Sequence, residues 1–194
     1  SLVVADNTAH VGKLASDLLI EAEHGTDSSV VLVCTSQDII DAVENELQIQ
    51  IGDLPANRAE ACRASLGDNG GAILVVSLTE AIEVANLYAP EHCQVAVSAQ
   101  HEEMVVDGII NAGEILIGQH TPFSAGNFVI GVPASLPTSG FAHVSSGITV
   151  NAFLKHTAIA KANETALRRM APTVLALSDH EGFPAHGNAI RRRF

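Results

Sequence analysis

Three short stretches of this 194-residue chain combine residue types that do acid–base or metal chemistry. Glu91 and His92 follow Tyr88-Ala89-Pro90, and an adjacent carboxylate and imidazole can serve as a general base with its polarising partner. Glu21 and His24 stand at i, i+3 near the end of an expected helix, so both project from one face and can share a metal ion. The plainer reading of that pair is a solvated helix end, with His24 before Gly25 complementing the helix C-terminus. The third stretch, HEGFPAH at 180–186, holds His180, Glu181 and His186. Its spacing is not His-Glu-x-x-His, and Gly182 and Pro184 argue for a loop rather than a helix. A helical zinc-protease site is thereby excluded, while a single ligand delivered from a loop is not.

Other chemistries lack their motifs. No G-x-x-x-x-G-K-[ST] or G-x-S-x-G occurs, and no G-x-G-x-x-G follows a strand. The first strand-to-helix turn, ADNTAH, has no glycine and does not admit a pyrophosphate closely. Cys34, Cys62 and Cys93 are far apart and form no Cys-x-x-Cys pair, which reads as reduced thiols of a cytoplasmic protein. His10, His101, His120, His143 and His156 show no ligand spacing and read as structural. No apolar run approaches the roughly 18–20 residues that span a bilayer, and the net charge of −12 argues against a nucleic-acid face.

The elements that must position these residues are legible as alternation. Strand-length apolar runs at 2–6, 30–34, 72–76, 93–97 and 114–118 are separated by segments of helical period, such as Val11, Leu14, Ala15, Leu18 and Leu19. Asn7, Thr8 and Ser77 are cap types. Strands alternating with helices imply right-handed βαβ units and a parallel sheet, hence an α/β fold. Residues 119–150 are rich in Gly, Pro, Ser and Thr and read as a long, ordered, functional loop region. A helical segment from about 152 to 177 follows. Residues 1–150 carry 3 basic against 19 acidic side chains, and residues 151–194 carry 7 against 3. A basic tail on an acidic body packs on its own chain or on a partner subunit, or else Arg191 to Arg193 complement a final helix C-terminus. The chain also opens directly on a strand, as half of something larger would.

Taken in order, several blocks resemble the C-terminal half of the histidinol dehydrogenase family. They are DLLIEAEHG at 17–25, YAPEH at 88–92, NAGEILIG at 111–118 and TPFSAGNFVIGVPASLPTSGFAHVSSG at 121–147, with FLKHT at 153–157 and EGFPAHGNAIRRR at 181–193. The resemblance implies an incomplete Rossmann-like α/β domain over 1–150, with a parallel sheet and flanking helices, that carries the metal and substrate site. It implies a mostly helical C-terminal tail over 151–194 that packs on the partner of a homodimer. It also implies a zinc ion per subunit, NAD as cofactor, and two-step oxidation of a small polar primary alcohol to a carboxylate.

By the same resemblance, Glu91 and His92 are the catalytic pair. Glu21, His24, Asn127 and His186 are the metal ligands, the last supplied by the exchanged tail of the other subunit. Glu181, Ala134 and Ser139 are the substrate positions. Three of these depart from the family pattern: Glu21 stands for a glutamine, Asn127 for an aspartate, and Ala134 for a histidine. The first two trade carboxylate for amide and keep ligand charge and oxygen count. The third removes a polar substrate contact, which favours a related alcohol, such as a sulfonated or otherwise anionic diol, over histidinol. The rival reading is a non-enzymatic metal- or ligand-binding α/β module without a nicotinamide domain.

Overall fold

Five short runs of apolar residues form strands: β1 (Leu2–Ala5), β2 (Val31–Cys34), β3 (Gly71–Leu74), β4 (His92–Ala96) and β5 (Glu114–Ile117). In the computed structural model, which describes residues 1–194, they make one all-parallel sheet in the order β3-β2-β1-β4-β5. The order reverses between β1 and β4, the mark of a doubly wound α/β sheet. β1, β2 and β4 are buried along their whole length, as parallel strands covered on both faces must be. β3 is the exception. It lies at an edge with Ile73 and Leu74 exposed, so the expected third strand is present but not buried.

Helices cover both faces. On one side lie α1 (Val11–Ala22), α2 (Gln37–Gly52) and α3 (Ala56–Gly67), packed in a core that includes Val3, Leu14, Leu18, Leu32 and Phe123. On the other lie α4 (Leu78–Tyr88) and α5 (Ala99–Gly108), over Leu2, Val4, Val33, Val95 and Val105. Ser77 caps α4 by accepting from the Glu80 N–H, as its residue type predicts. At α1 the cap is His10, two residues beyond Thr8 and three beyond Asn7. Thr8 instead bonds back to Asp6.

The turn-rich region 119–150 is ordered by one short helix, α6 (Phe123–Phe128), and a single 3-10 turn at Phe141–His143, with a second turn at Val150–Phe153. These residues complete a compact unit, Ser1–Phe153. A second unit, Leu154–Phe194, consists of α7 (Glu164–Glu181) and α8 (Pro184–Arg191). The helix expected from about 152 starts only at Glu164, because Asn163 caps it there through its side chain. It also runs past 177, ending where Gly182 takes a left-handed φ of 72°. Pro184 then opens α8 at a first-turn position, where it is tolerated. The HEGFPAH stretch is therefore a helix–helix corner and not the expected loop. Arg193 donates to the Ala189 carbonyl, and Arg191 approaches Asp179. Within this unit Arg193 thus serves the end of the last helix, whereas Arg191 reaches back to α7.

Candidate active site

Helix and strand geometry matches α1 to β4 residue by residue. Four helix residues rise about 6 Å, close to the advance of two strand residues. Asp17 and Glu21, four apart on α1, therefore face Gln94 and His92, two apart on β4. Gln94 Nε2 donates to Asp17 Oδ2 at 2.7 Å, and His92 Nε2 lies 3.8 Å from Glu21 Oε2. All four side chains are buried. The solvated-helix-end reading of Glu21 is thus excluded, whereas His24, just past the helix, keeps 60% of its side chain exposed.

β4 begins one residue earlier than the apolar run indicated, which brings His92 into the sheet. There it pairs in register with Glu114, the first residue of β5. The two side chains share a face, and His92 Nδ1 lies 2.6 Å from Glu114 Oε1. An ionised carboxylate only accepts, so Nδ1 is the donor. Phe123 meets the imidazole edge-on, with ring centroids 5.8 Å apart. Glu91 sits in the turn before β4, its Oε1 3.7 Å from His92 Nε2. That turn is strained, with Ala89 at a left-handed φ of 50°. Gly113 allows the close packing here: a Cβ on it would stand 2.5 Å from the Glu91 carbonyl oxygen.

One imidazole thus faces three carboxylates. Burial opposes its charged form. The hydrogen bond to Glu114 and the charges of Glu21, Glu114 and Glu91 outweigh burial and set the His92 pKa above the ordinary histidine value. Glu114 is the site residue that sequence reasoning missed. The available signal was a carboxylate at the head of an otherwise apolar strand, EILI.

His92 Nε2 borders a cavity of about 320 Å³ whose lining includes Glu21, His24, Glu91, Asn127 and Ala134. A neighbouring cavity of about 570 Å³ shares Glu91 and is lined by Ser139. Ser139 is the only other non-glycine residue with positive φ, at 54°. Asn127 Nδ2 donates to Glu21 Oε1 at 3.1 Å, so the two residues that trade carboxylate for amide touch each other. No three His, Cys, Asp or Glu side chains converge at metal spacing. What the first unit offers is the Glu21 carboxylate, the exposed His24 imidazole and the Asn127 amide around one cavity, a nitrogen and oxygen set of the kind zinc takes. Glu181 and His186 lie in the second unit, at the last residue of α7 and in the first turn of α8, where His186 rests against the Phe183 ring.

A doubly wound sheet with an imidazole held between carboxylates at a polar cavity defines an enzyme-like acid–base centre on an α/β scaffold. Comparison with known proteins makes the class specific. The histidinol dehydrogenase family model matches residues 1–194. Histidinol dehydrogenase from Synechocystis is 43% identical over 193 residues, which is 100% of this chain and 44% of that protein. The Methanosarcina mazei enzyme is 37% identical over 100% of this chain and 43% of its own length. The crystal structure of histidinol dehydrogenase from Elizabethkingia anophelis superposes with a TM-score of 0.93 at 33% identity, covering 99% of this chain and 43% of that one. The chain belongs to the histidinol dehydrogenase family, a family of oxidoreductases, and spans less than half the length of these relatives.

Proposed function

We propose that the longer protein containing this chain oxidises a small polar primary alcohol, histidinol or a related alcohol, to a carboxylate in two NAD-dependent steps with one zinc ion per subunit. The observation that carries this reading is His92, with its Nε2 at the cavity between two carboxylates and its Nδ1 bonded to a third. Glu21, His24 and Asn127 would hold zinc together with His186 from the partner's exchanged tail in a homodimer. Zinc, when bound, would supply a Lewis-acid hold on the alcohol, and NAD would be the hydride acceptor. The first strand-to-helix turn does not fit a pyrophosphate: it lacks glycine, and Asp6 and Thr8 close it with their own hydrogen bonds. This favours NAD binding mainly through the part of the relatives' length that this chain does not span. His92 Nε2 takes the alcohol proton. Glu91 then accepts a proton from the water that attacks the aldehyde, which makes the second oxidation possible.

Ala134 in the cavity lining shapes substrate choice, because no side chain there can hydrogen-bond an imidazole substrate. The three cysteines are buried and free, as a reducing compartment allows, and on that ground we place the enzyme in the cytoplasm. No helix is long and apolar enough to cross a membrane. The test is NADH formation by the full-length protein with histidinol and with anionic diols. Two NADH per alcohol are expected, with the diol preferred over histidinol. A clear preference for histidinol removes the substrate refinement alone. Absence of turnover with every primary alcohol, in protein that binds zinc, favours the binding-module reading.

A further inference from the structure

We propose that Glu114 is the positioning residue for His92: it takes the Nδ1–H and so leaves the Nε2 lone pair aimed at the cavity. The inference rests on the reading of His92 as the base, and it adds a residue to which neither composition nor motif assigned a role.

Three observations carry it. First, register alone juxtaposes the two side chains at the heads of β4 and β5, at 2.6 Å and with 9% and 3% of their surfaces exposed. Second, Glu114 satisfies nothing else. Its Oε2 is buried without a hydrogen-bond partner, and a buried carboxylate with an empty acceptor is a cost to the fold. Leu116, two residues on along the same face, shows what a purely structural residue looks like at this depth. Third, the surroundings are shaped around this pair. Gly126 approaches so closely that a Cβ there would stand 3.1 Å from Glu114 Oε1, and the Phe123 ring closes another side of the imidazole. With one ring nitrogen donating to Glu114, the other is left as the acceptor. The role matches that of the buried carboxylate in hydrolase triads, which orients the imidazole without itself reacting.

The experiment uses the full-length, zinc-loaded protein with ¹⁵N-labelled histidine, the His92 signal being assigned by its loss in His92→Gln. Above its titration range, the neutral His92 ring is expected as the Nδ1–H tautomer. In Glu114→Gln, which is isosteric and uncharged, the tautomer preference is lost and kcat falls at least about a hundredfold. KM changes little and thermal stability is not lowered. Glu114→Asp keeps a carboxylate and restores the tautomer, with part of kcat. An Nε2–H tautomer in the native protein, or a Glu114→Gln variant with full kcat or with loss of stability alone, overturns the proposal. If the native protein turns over no alcohol but shows the Nδ1–H tautomer, positioning stands and the dehydrogenase reading falls.

Discussion

The two edges of the one sheet use the same residue types in opposite ways. At the carboxyl edge, where doubly wound proteins ordinarily bind ligands, Asp6 follows β1. Its carboxylate accepts from the Thr8 N–H at 2.9 Å, the Thr8 hydroxyl at 2.6 Å and the Ser98 N–H at 2.9 Å, with His101 3.8 Å away. Burial would raise its pKa, but these bonds hold it below the usual aspartate value. At the amino edge, Glu114 has a spare oxygen, Glu21 and Glu91 crowd one imidazole, and a polar cavity opens beside them. The open hollow near Asp6, about 640 Å³, is bordered by Thr8, Ser98 and Gln119, whose side chains already bond to Asp6, His101 and the His10 N–H. A carboxylate whose hydrogen bonds are complete is doing structural work. One left partly unsatisfied beside a cavity is available for chemistry.

The largest effect that can break this contrast is a histidine replacement at each edge. His92→Ala in the full-length protein is expected to cut kcat by about 10²–10⁴-fold with zinc still bound, while His101→Ala leaves kcat within a factor of two or so. Steady-state NADH formation reads both, and comparable losses at the two positions would erase the distinction. Next in size is the Glu21–Asn127 contact. Glu21→Gln alone removes the only carboxylate among the proposed ligands and is expected to weaken zinc by at least the ~10–100-fold that loss of a supporting partner costs. Adding Asn127→Asp is expected to recover most of that affinity in a chelator competition. A double variant no better than the single one shows that the two positions are not coupled.

Much of this edge was legible before any coordinates, and what was not has a physical reason. Alternating apolar runs and helical periods located all five strands and the α/β class, since buried parallel strands carry continuous apolar sequence. Strand ends were less legible: β4 was read from Cys93, because a histidine does not announce burial. Glu91 and His92 stood out by type and adjacency. Glu114 did not, because its partner lies 22 residues earlier and only parallel register joins them. Asn127 and Glu21, 106 residues apart, were linked by family pattern and not by spacing. The corner at 182–184 reads as a loop in sequence because Gly and Pro signal a break without giving its length.

A smaller effect is expected from the satisfied carboxylate. Asp6→Ala leaves the partly buried Thr8 and Ser98 N–H groups without their acceptor, at a cost of about 1 kcal/mol, with activity per folded molecule unchanged. Because the folded-state pKa of Asp6 is depressed, its contribution is present above the unfolded value of 3.8 and is lost as pH falls through the folded value. Wild type and variant therefore converge in stability in acid and diverge towards neutrality. A constant gap across that range would mean that the ionised form is not what the hydrogen bonds favour.

The smallest expected effect lies between the two edges, at Asp17 and Gln94. Burial raises the Asp17 pKa despite the Gln94 hydrogen bond and the Lys13 charge, so the sign is opposite to that at Asp6. Its contribution to stability is present at low pH and is lost as pH rises through the folded value. At neutral pH the ionised carboxylate is a burden on the fold. Gln94 Oε1, meanwhile, is buried without a donor. Asp17→Asn removes the charge and keeps an oxygen for Gln94 Nε2. Melting at pH 7 is expected to rise by about 2–4 °C, and the gain to vanish as pH drops and the wild-type carboxyl takes up its proton. A lower melting temperature at pH 7 would show that Asp17 is held charged for the sake of the neighbouring site, and would move the boundary between structural and functional carboxylates one helical turn further along α1.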